Sequence, residues 1–289
     1  MKPLRSQIEE RRIRLNIPWN TLEQDFVLSW VLAGISQRKI LRDSLIFKGG
    51  TALKKTYFGE YRFSEDLDFT LIKKLSEKEI HYEIEQACLY ATEQVSEFVP
   101  DPIFQSHVYK EKLPHPHGQI AFTIRARLPW HKEPHVRVMV EITQDEPIMS
   151  QSKLLPIIYD YEGNFQYKIQ TYSLEEIVCE KLRAILQHIK KLHETGWSRS
   201  RSRDYYDLWY IFLVKGEMLD FEEIREILPK KCNVKAVSWK SVDDFFSEAY
   251  LKKIRLEWDK WLGSLVPHLP KYGEVIKDLR VMLEKLLMP

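Results

Sequence analysis

The stretch that most narrows the choice of fold runs from Leu45 to Phe69. A short apolar segment, Leu45-Ile46-Phe47, leads into Lys48-Gly49-Gly50-Thr51; Asp66-Leu67-Asp68-Phe69 follows after a helical interval over Thr51 to Tyr57. Read locally, this is strand, glycine turn, helix, second strand. In the second strand, expected over 66–72, Asp66 and Asp68 project from one face, while Leu67 and Phe69 point the other way into a core. Two carboxylates on one face repel each other. A divalent cation removes that penalty, because Mg2+ takes one or two carboxylates together with phosphate oxygens. Gly49 and Gly50 carry no side chain, so backbone N–H groups at the start of the next helix can approach a phosphate, and the Thr51 hydroxyl can add a contact. A GGT alone is an ordinary turn, and a DxD alone is more often a solvated strand end. Their combination in this order is far rarer, and it points to a metal-carried nucleoside triphosphate.

A third carboxylate lies further along. In Val136-Arg137-Val138-Met139-Val140-Glu141-Ile142 the valines alternate inward and leave Glu141 on the face of Arg137 and Met139. If this strand lies beside the DxD strand, Glu141 completes a two-metal site and helps to deprotonate an attacking hydroxyl. The competing reading, of equal weight, is the polar face of an antiparallel strand.

The surrounding pattern is α+β. Asn20 with Glu23 reads as a cap for a helix to about Arg38, and Ser76-x-x-Glu79 as a capping box for a helix to about Phe98. Strands are expected at 104–109, 119–128 and 136–142. Another capping box, Ser173-x-x-Glu176, opens a mostly helical remainder with segments at 174–192, 203–214, 221–228, 241–262 and 272–287. The expected division is 1–170 for the α+β domain and 171–289 for a helical C-terminal domain.

Composition serves mainly to exclude. No apolar run is long enough to span a bilayer, and the first ten residues turn charged before any signal-peptide core, so the sequence reads as cytoplasmic. Cys88, Cys179 and Cys232 show neither CxxC nor Cys/His spacing, which argues against a disulfide framework or a zinc site. The His115/His117 pair reads as a Pro-His turn before it reads as a metal site, and Trp239, Trp258 and Trp261 as core or interface.

Within the helical half, Lys181 falls inside the apolar stripe of Ile177, Val178 and Ile185. It either snorkels outward or meets an anion such as a triphosphate oxygen. Arg203-Asp204-Tyr205-Tyr206-Asp207-Leu208 reads as a buried helix whose two acids, three apart, need partners; Lys181, Arg183 and Arg203 are the candidates. An internal salt-bridge network tying the two halves together is the rival reading, at even odds. Between these helices, Lys190, Lys191, Arg199, Arg201 and Arg203 surround Trp197. Taken alone, such a loop reads as a solvated face; basic residues near an aromatic also suit an RNA backbone with a base to stack, and the position between two candidate site elements raises the weight of that reading.

These residues resemble a known family. Lys48-Gly49-Gly50-Thr51-Ala52-Leu53 with Arg62-Phe63-Ser64-Glu65-Asp66-Leu67-Asp68-Phe69 resembles the first motif of the AbiEii/AbiGii-type nucleotidyltransferase toxins. Glu180-Lys181-Leu182-Arg183-Ala184 resembles their lysine motif, and Arg203-Asp204-Tyr205-Tyr206-Asp207-Leu208 their final motif. The matches run in order from about residue 47 to 211. The resemblance implies a polymerase-β-like core, with a mixed sheet flanked by helices, followed by a helical domain. It implies transfer of a nucleoside monophosphate from an NTP with Mg2+ or Mn2+, and a toxin encoded beside an antitoxin; some members act on tRNA 3′ ends. By position, Asp66 and Asp68 would bind metal, and Gly50 and Thr51 would contact the triphosphate. Lys181 would hold phosphate, and Asp204 would be a catalytic or nucleotide-orienting acid, with Asp207 in the same motif. The wider superfamily has Gly-Ser and a shorter spacer before its acidic pair, so the triphosphate contacts carry over less directly than the metal pair. Two other readings stand beside RNA transfer: the same chemistry on a protein acceptor, and a non-catalytic NTP- or RNA-binding partner.

Overall fold

The computed structural model describes residues 1–109 and 119–287; the His115/His117 turn lies outside them. The chain divides into two compact units, residues 1–146 with 152–172, and residues 147–151 with 173–289.

The first unit is built on a mixed seven-stranded sheet in the order β3-β4-β5-β2-β1-β7-β6. Its elements run α1 (Leu4–Leu15), α2 (Trp19–Gln37), α3 (Lys39–Arg42), β1 (Leu45–Lys48), α4 (Gly49–Ala52), a π-turn (Leu53–Tyr57), β2 (Asp66–Leu71), α5 (Glu77–Ser96), β3 (Ile103–Val108), β4 (Gln119–Arg127), β5 (Val136–Thr143), β6 (Lys153–Pro156) and β7 (Lys168–Thr171). β2 runs antiparallel to β1 and parallel to β5, and β1 in turn lies parallel to β7. The expected alternation holds: Leu67 and Phe69 are fully buried, as are Val138, Val140 and Ile142 on β5. That buried face packs against α2.

α2 is buried almost all round, more than its apolar stripe alone requires. It lies against the sheet and α5, and a cluster of rings from residues 159–167 closes over Trp30, with Phe165 at 5.1 Å and Tyr159 at 5.8 Å. α2 and α5 approach so closely that a methyl on Gly34 would run into the Ala87 carbonyl. The start of α2 differs from the sequence expectation. Pro18 is the N-cap and Trp19 the first helical residue, so Asn20 already lies inside the helix. Glu23 accepts instead from the indole N–H groups of Trp19 and Trp130, with His131 Nε2 at 3.2 Å. The Ser76–Glu79 capping box forms as expected.

The second unit comprises α6 (Leu174–Thr195), α7 (Ser202–Lys215), α8 (Phe221–Val234), α9 (Glu248–Leu262) and α10 (Tyr272–Leu287), with 3-10 turns at Gly216–Met218 and Val242–Phe246. Ser173 caps α6 by accepting from the Glu176 N–H. Glu176 does not reach back to complete the box. Its carboxylate accepts from the Met149 and Ser150 N–H groups and meets Lys231 Nζ at 2.5 Å, with both side chains fully buried. Lys231 also donates to the Pro147 carbonyl at 2.7 Å, fixing residues 147–151 to the helical unit. Trp258 is core, whereas Trp261 is partly exposed. The three cysteines are free thiols and buried.

Candidate active site

Strand register brings the acids of the first unit onto one face. Asp68 pairs with Glu141 on parallel β5 and with Lys48 on antiparallel β1; Asp66 pairs with Met139. Residues opposed across a ladder point the same way. Asp66, Asp68 and Glu141 therefore share the face opposite Leu67 and Phe69, and all three are half-buried. The condition set for Glu141, a place beside the DxD strand, is met. Gln119 Nε2 on β4 donates to Glu141 Oε2 at 2.6 Å and fixes its orientation. Gln24 Nε2 on α2 bonds the carbonyls of Glu65 (3.2 Å) and Arg137 (2.8 Å), tying the starts of β2 and β5 together.

The glycine pair is shaped by these same groups. Gly49 has φ +79°, a left-handed conformation, and a methyl placed there would lie 2.5 Å from Asp68 Oδ2. A methyl on Gly50 would strike the Arg62 guanidinium. Arg62 is buried, donates to the Phe63 carbonyl at 3.0 Å and lies beside the Tyr61 ring. Thr51 is buried, and its hydroxyl donates to the Asp66 carbonyl, joining α4 to the DxD strand. Arg62 and Lys48 stand within the sequence motif, yet the motif alone gives neither a role. The available signal was a cation embedded in an apolar or aromatic run, Tyr61-Arg62-Phe63 and Ile46-Phe47-Lys48.

The donor set suits a hard cation, because it consists of carboxylate oxygens. Among the described residues, no group of three or more His, Cys, Asp or Glu side chains is gathered as a ready-made metal cage. The residues present fit an ion that takes two carboxylates and completes its shell with substrate phosphate.

In the second unit, Lys181 is buried between two acids, with Nζ 2.9 Å from Asp204 Oδ1 and 2.6 Å from Asp207 Oδ2. Arg201 Nη1 reaches Asp204 Oδ2 at 3.3 Å. Burial pushes the Asp204 carboxyl up, but Lys181 and Arg201 outweigh it and hold the group below the usual carboxylate range. All four residues belong to the helical unit, so this network joins α6, the loop after it and α7.

The basic loop separates into two groups. Lys190 and Lys191 sit on the last turns of α6 and are exposed, as is Arg199; Lys191 lies 5.0 Å from the exposed Trp197 ring. Arg201 turns inward and donates to His188 Nε2 at 2.9 Å, while Arg203 stacks on Trp261 at 5.7 Å. With Nε2 accepting from Arg201, His188 carries its proton on Nδ1 and donates it to Ser198 Oγ at 2.7 Å. Burial and the neighbouring Arg201 and Arg199 push the His188 pKa down to about 3.

A family described as "Nucleotidyl transferase AbiEii toxin, Type IV TA system" matches residues 30–285. Among solved structures, the fold is similar to MenT4, a nucleotidyltransferase toxin from Mycobacterium tuberculosis H37Rv. The TM-score is 0.67 at 19% identity, over 99% of this chain and 90% of that one. No curated protein sequence matches.

Proposed function

Because the chain belongs to the AbiEii family of nucleotidyltransferase toxins of type IV toxin–antitoxin systems, we propose that it transfers a nucleoside monophosphate from an NTP to the 3′ hydroxyl of an RNA, with tRNA as the acceptor class, using a divalent cation held by Asp66 and Asp68. The observation that carries this reading is the alignment of three carboxylates on one sheet face, with Glu141 in register opposite Asp68.

Bound to Asp66 and Asp68, Mg2+ or Mn2+ would neutralise triphosphate charge and orient the α-phosphate. The other roles fall to groups of the chain. Gly49 and Gly50 leave backbone N–H groups open to phosphate, with Thr51 positioning the turn through the Asp66 carbonyl. Arg62, lying against Gly50, brings a cation to the same turn. Glu141 takes the proton of the acceptor hydroxyl as its oxygen bonds the α-phosphorus, the α–β anhydride breaks and pyrophosphate leaves. In the helical unit, Lys181, paired with Asp204 and Asp207, is the residue assigned to phosphate, and Asp204 the one assigned to orienting the nucleotide. Lys190, Lys191 and Arg199 face the RNA backbone; Arg201 and Arg203 support that loop from within. A cognate antitoxin is the partner that the family implies.

The test is transfer of label from each α-labelled NTP to purified tRNA in the presence of Mg2+. Label on tRNA with the wild type, lost in Asp66→Asn/Asp68→Asn, is the expected result. Transfer that persists in a well-folded double variant sinks the assignment of the pair. Label on protein in place of RNA sinks the choice of acceptor.

A further inference from the structure

Beyond the carboxylates, the same sheet face turns basic. Arg125 on β4 pairs in register with Arg137 on β5, one same-face step past the row of Asp66, Met139 and Thr123. Like charges directly opposed on neighbouring strands are destabilising unless an anion lies between or above them. Both arginines are exposed, and Arg137 Nη2 reaches only the thioether of Met139, at 3.1 Å, among the described residues. Arg137 lies 5.8 Å from the ring of Tyr109, itself exposed. The row is about 7 Å from Asp66 along the strand, roughly one nucleotide step, at 3.3 Å per residue.

The track continues into a groove. Arg125 is one wall of a cavity of about 650 Å3 shared with Trp19, Trp130, His131, Lys132 and Glu133. The two indoles stand at 71° with centroids 5.7 Å apart. Their N–H groups are both anchored on the buried Glu23, which holds the rings fixed and half-exposed. Fixed aromatic faces beside cations form the combination by which proteins hold single-stranded nucleic acid: backbone on the cations, bases on the rings.

We infer that the face carrying Arg125, Arg137 and Tyr109, with the Trp19/Trp130 groove at its end, is the channel along which the single-stranded 3′ end of an RNA acceptor reaches Asp66 and Asp68. The inference rests on the reading of RNA as the acceptor. It adds a binding surface, on the α+β unit, distinct from the basic loop after α6. Charge complementarity selects the occupant: two exposed, mutually opposed cations beside rigid rings suit a polyanion that also carries π-faces.

The experiment measures binding of a 5′-fluorescein-labelled short single-stranded RNA to the full chain by anisotropy across a salt series, alongside the transfer assay. Arg125→Glu/Arg137→Glu should weaken binding at least about tenfold and lower the slope of log K against log salt by about 1.4, at about 0.7 per phosphate lost. Trp130→Ala should weaken binding about tenfold with the slope retained, the signature of lost stacking. In the transfer assay, the double charge reversal should raise the KM for RNA while the KM for NTP moves less than twofold. Circular dichroism and melting temperature establish that each variant is folded. Binding and KM for RNA within twofold of wild type in the folded charge-reversal variant overturn the channel but leave the reaction standing. Wild-type RNA binding that depends on Arg125 and Arg137 without any transfer supports the channel and removes the reaction. Absence of RNA binding by the wild type overturns the channel directly.

Discussion

A methyl group on Gly49 would meet two obstacles at once: a left-handed backbone that costs an L-residue about 1–2 kcal/mol, and the Asp68 carboxylate at 2.5 Å. The second matters more for chemistry, since Asp68 must shift to relieve it. Gly49→Ala is therefore expected to lower kcat by about 10²-fold, as misplacing a catalytic group by about 1 Å does, while melting falls only a few degrees. Transfer kinetics set beside thermal melts check this; wild-type kcat in Gly49→Ala would refute it. His188 makes a different prediction. Its pKa falls from an ordinary 6.5 to about 3 on folding, so below the ordinary value the unfolded chain binds the extra proton and the folded chain does not. The stability due to neutral His188 is full above about pH 6.5 and drains away as pH falls toward about 3. Asp204, held low by Lys181 and Arg201, adds a loss in the same direction at the acidic end. Melts from pH 8 to pH 4 should show this slope, and His188→Gln should flatten its upper part; an unchanged slope would contradict the assignment.

At the level of elements, the period-2 pattern made β2 and β5 legible, and with them Asp66, Asp68 and Glu141. What periodicity does not carry is which strands are neighbours, so the juxtaposition of Asp68 and Glu141 stood only as a condition until the register supplied it. β6 and β7 were not legible. Each has four residues, and Lys153–Pro156 is an edge strand exposed at most positions and ending in proline, with no alternation to detect. Asn20/Glu23 misled because capping chemistry and a tertiary grip on a carboxylate use the same residue types; Trp130 and His131, a hundred residues away, took Glu23. Arg62 was present in the motif, but only the folded turn set it against Gly50. The helical unit has its own buried ion pair in Lys231–Glu176, which binds α8 to α6 and to residues 147–151. Removing one partner strands the other charge, so Lys231→Met is expected to cost about 3–5 kcal/mol, and Lys231→Met/Glu176→Met to recover part of it. Urea unfolding of the single and double variants gives the answer; a cost below about 1 kcal/mol for the single variant would rule the pair out as a structural brace.

For the whole molecule, the mixed sheet with its helices is the architecture that the motif order implied. Among the described residues no helix is long and apolar enough to cross a membrane. All three thiols are buried, and burial pushes Cys88 up to about 12 and Cys232 to about 11, and holds Cys179 well above the ordinary thiol range. The native protein should therefore resist Ellman's reagent, releasing the colour of three thiols only once unfolded; rapid reaction of a folded sample would contradict the packing.

β1 takes one neighbour, β2, from close by, and the other, β7, from far along the chain through the pairing of Phe47 with Thr171. β2 likewise waits for β5. A ribosome making this protein thus exposes the acidic strand long before the two strands that will flank the β1–β2 pair exist, and such distant pairings close slowly. The sheet on both sides of the acidic strand can therefore close only after Thr171 has emerged.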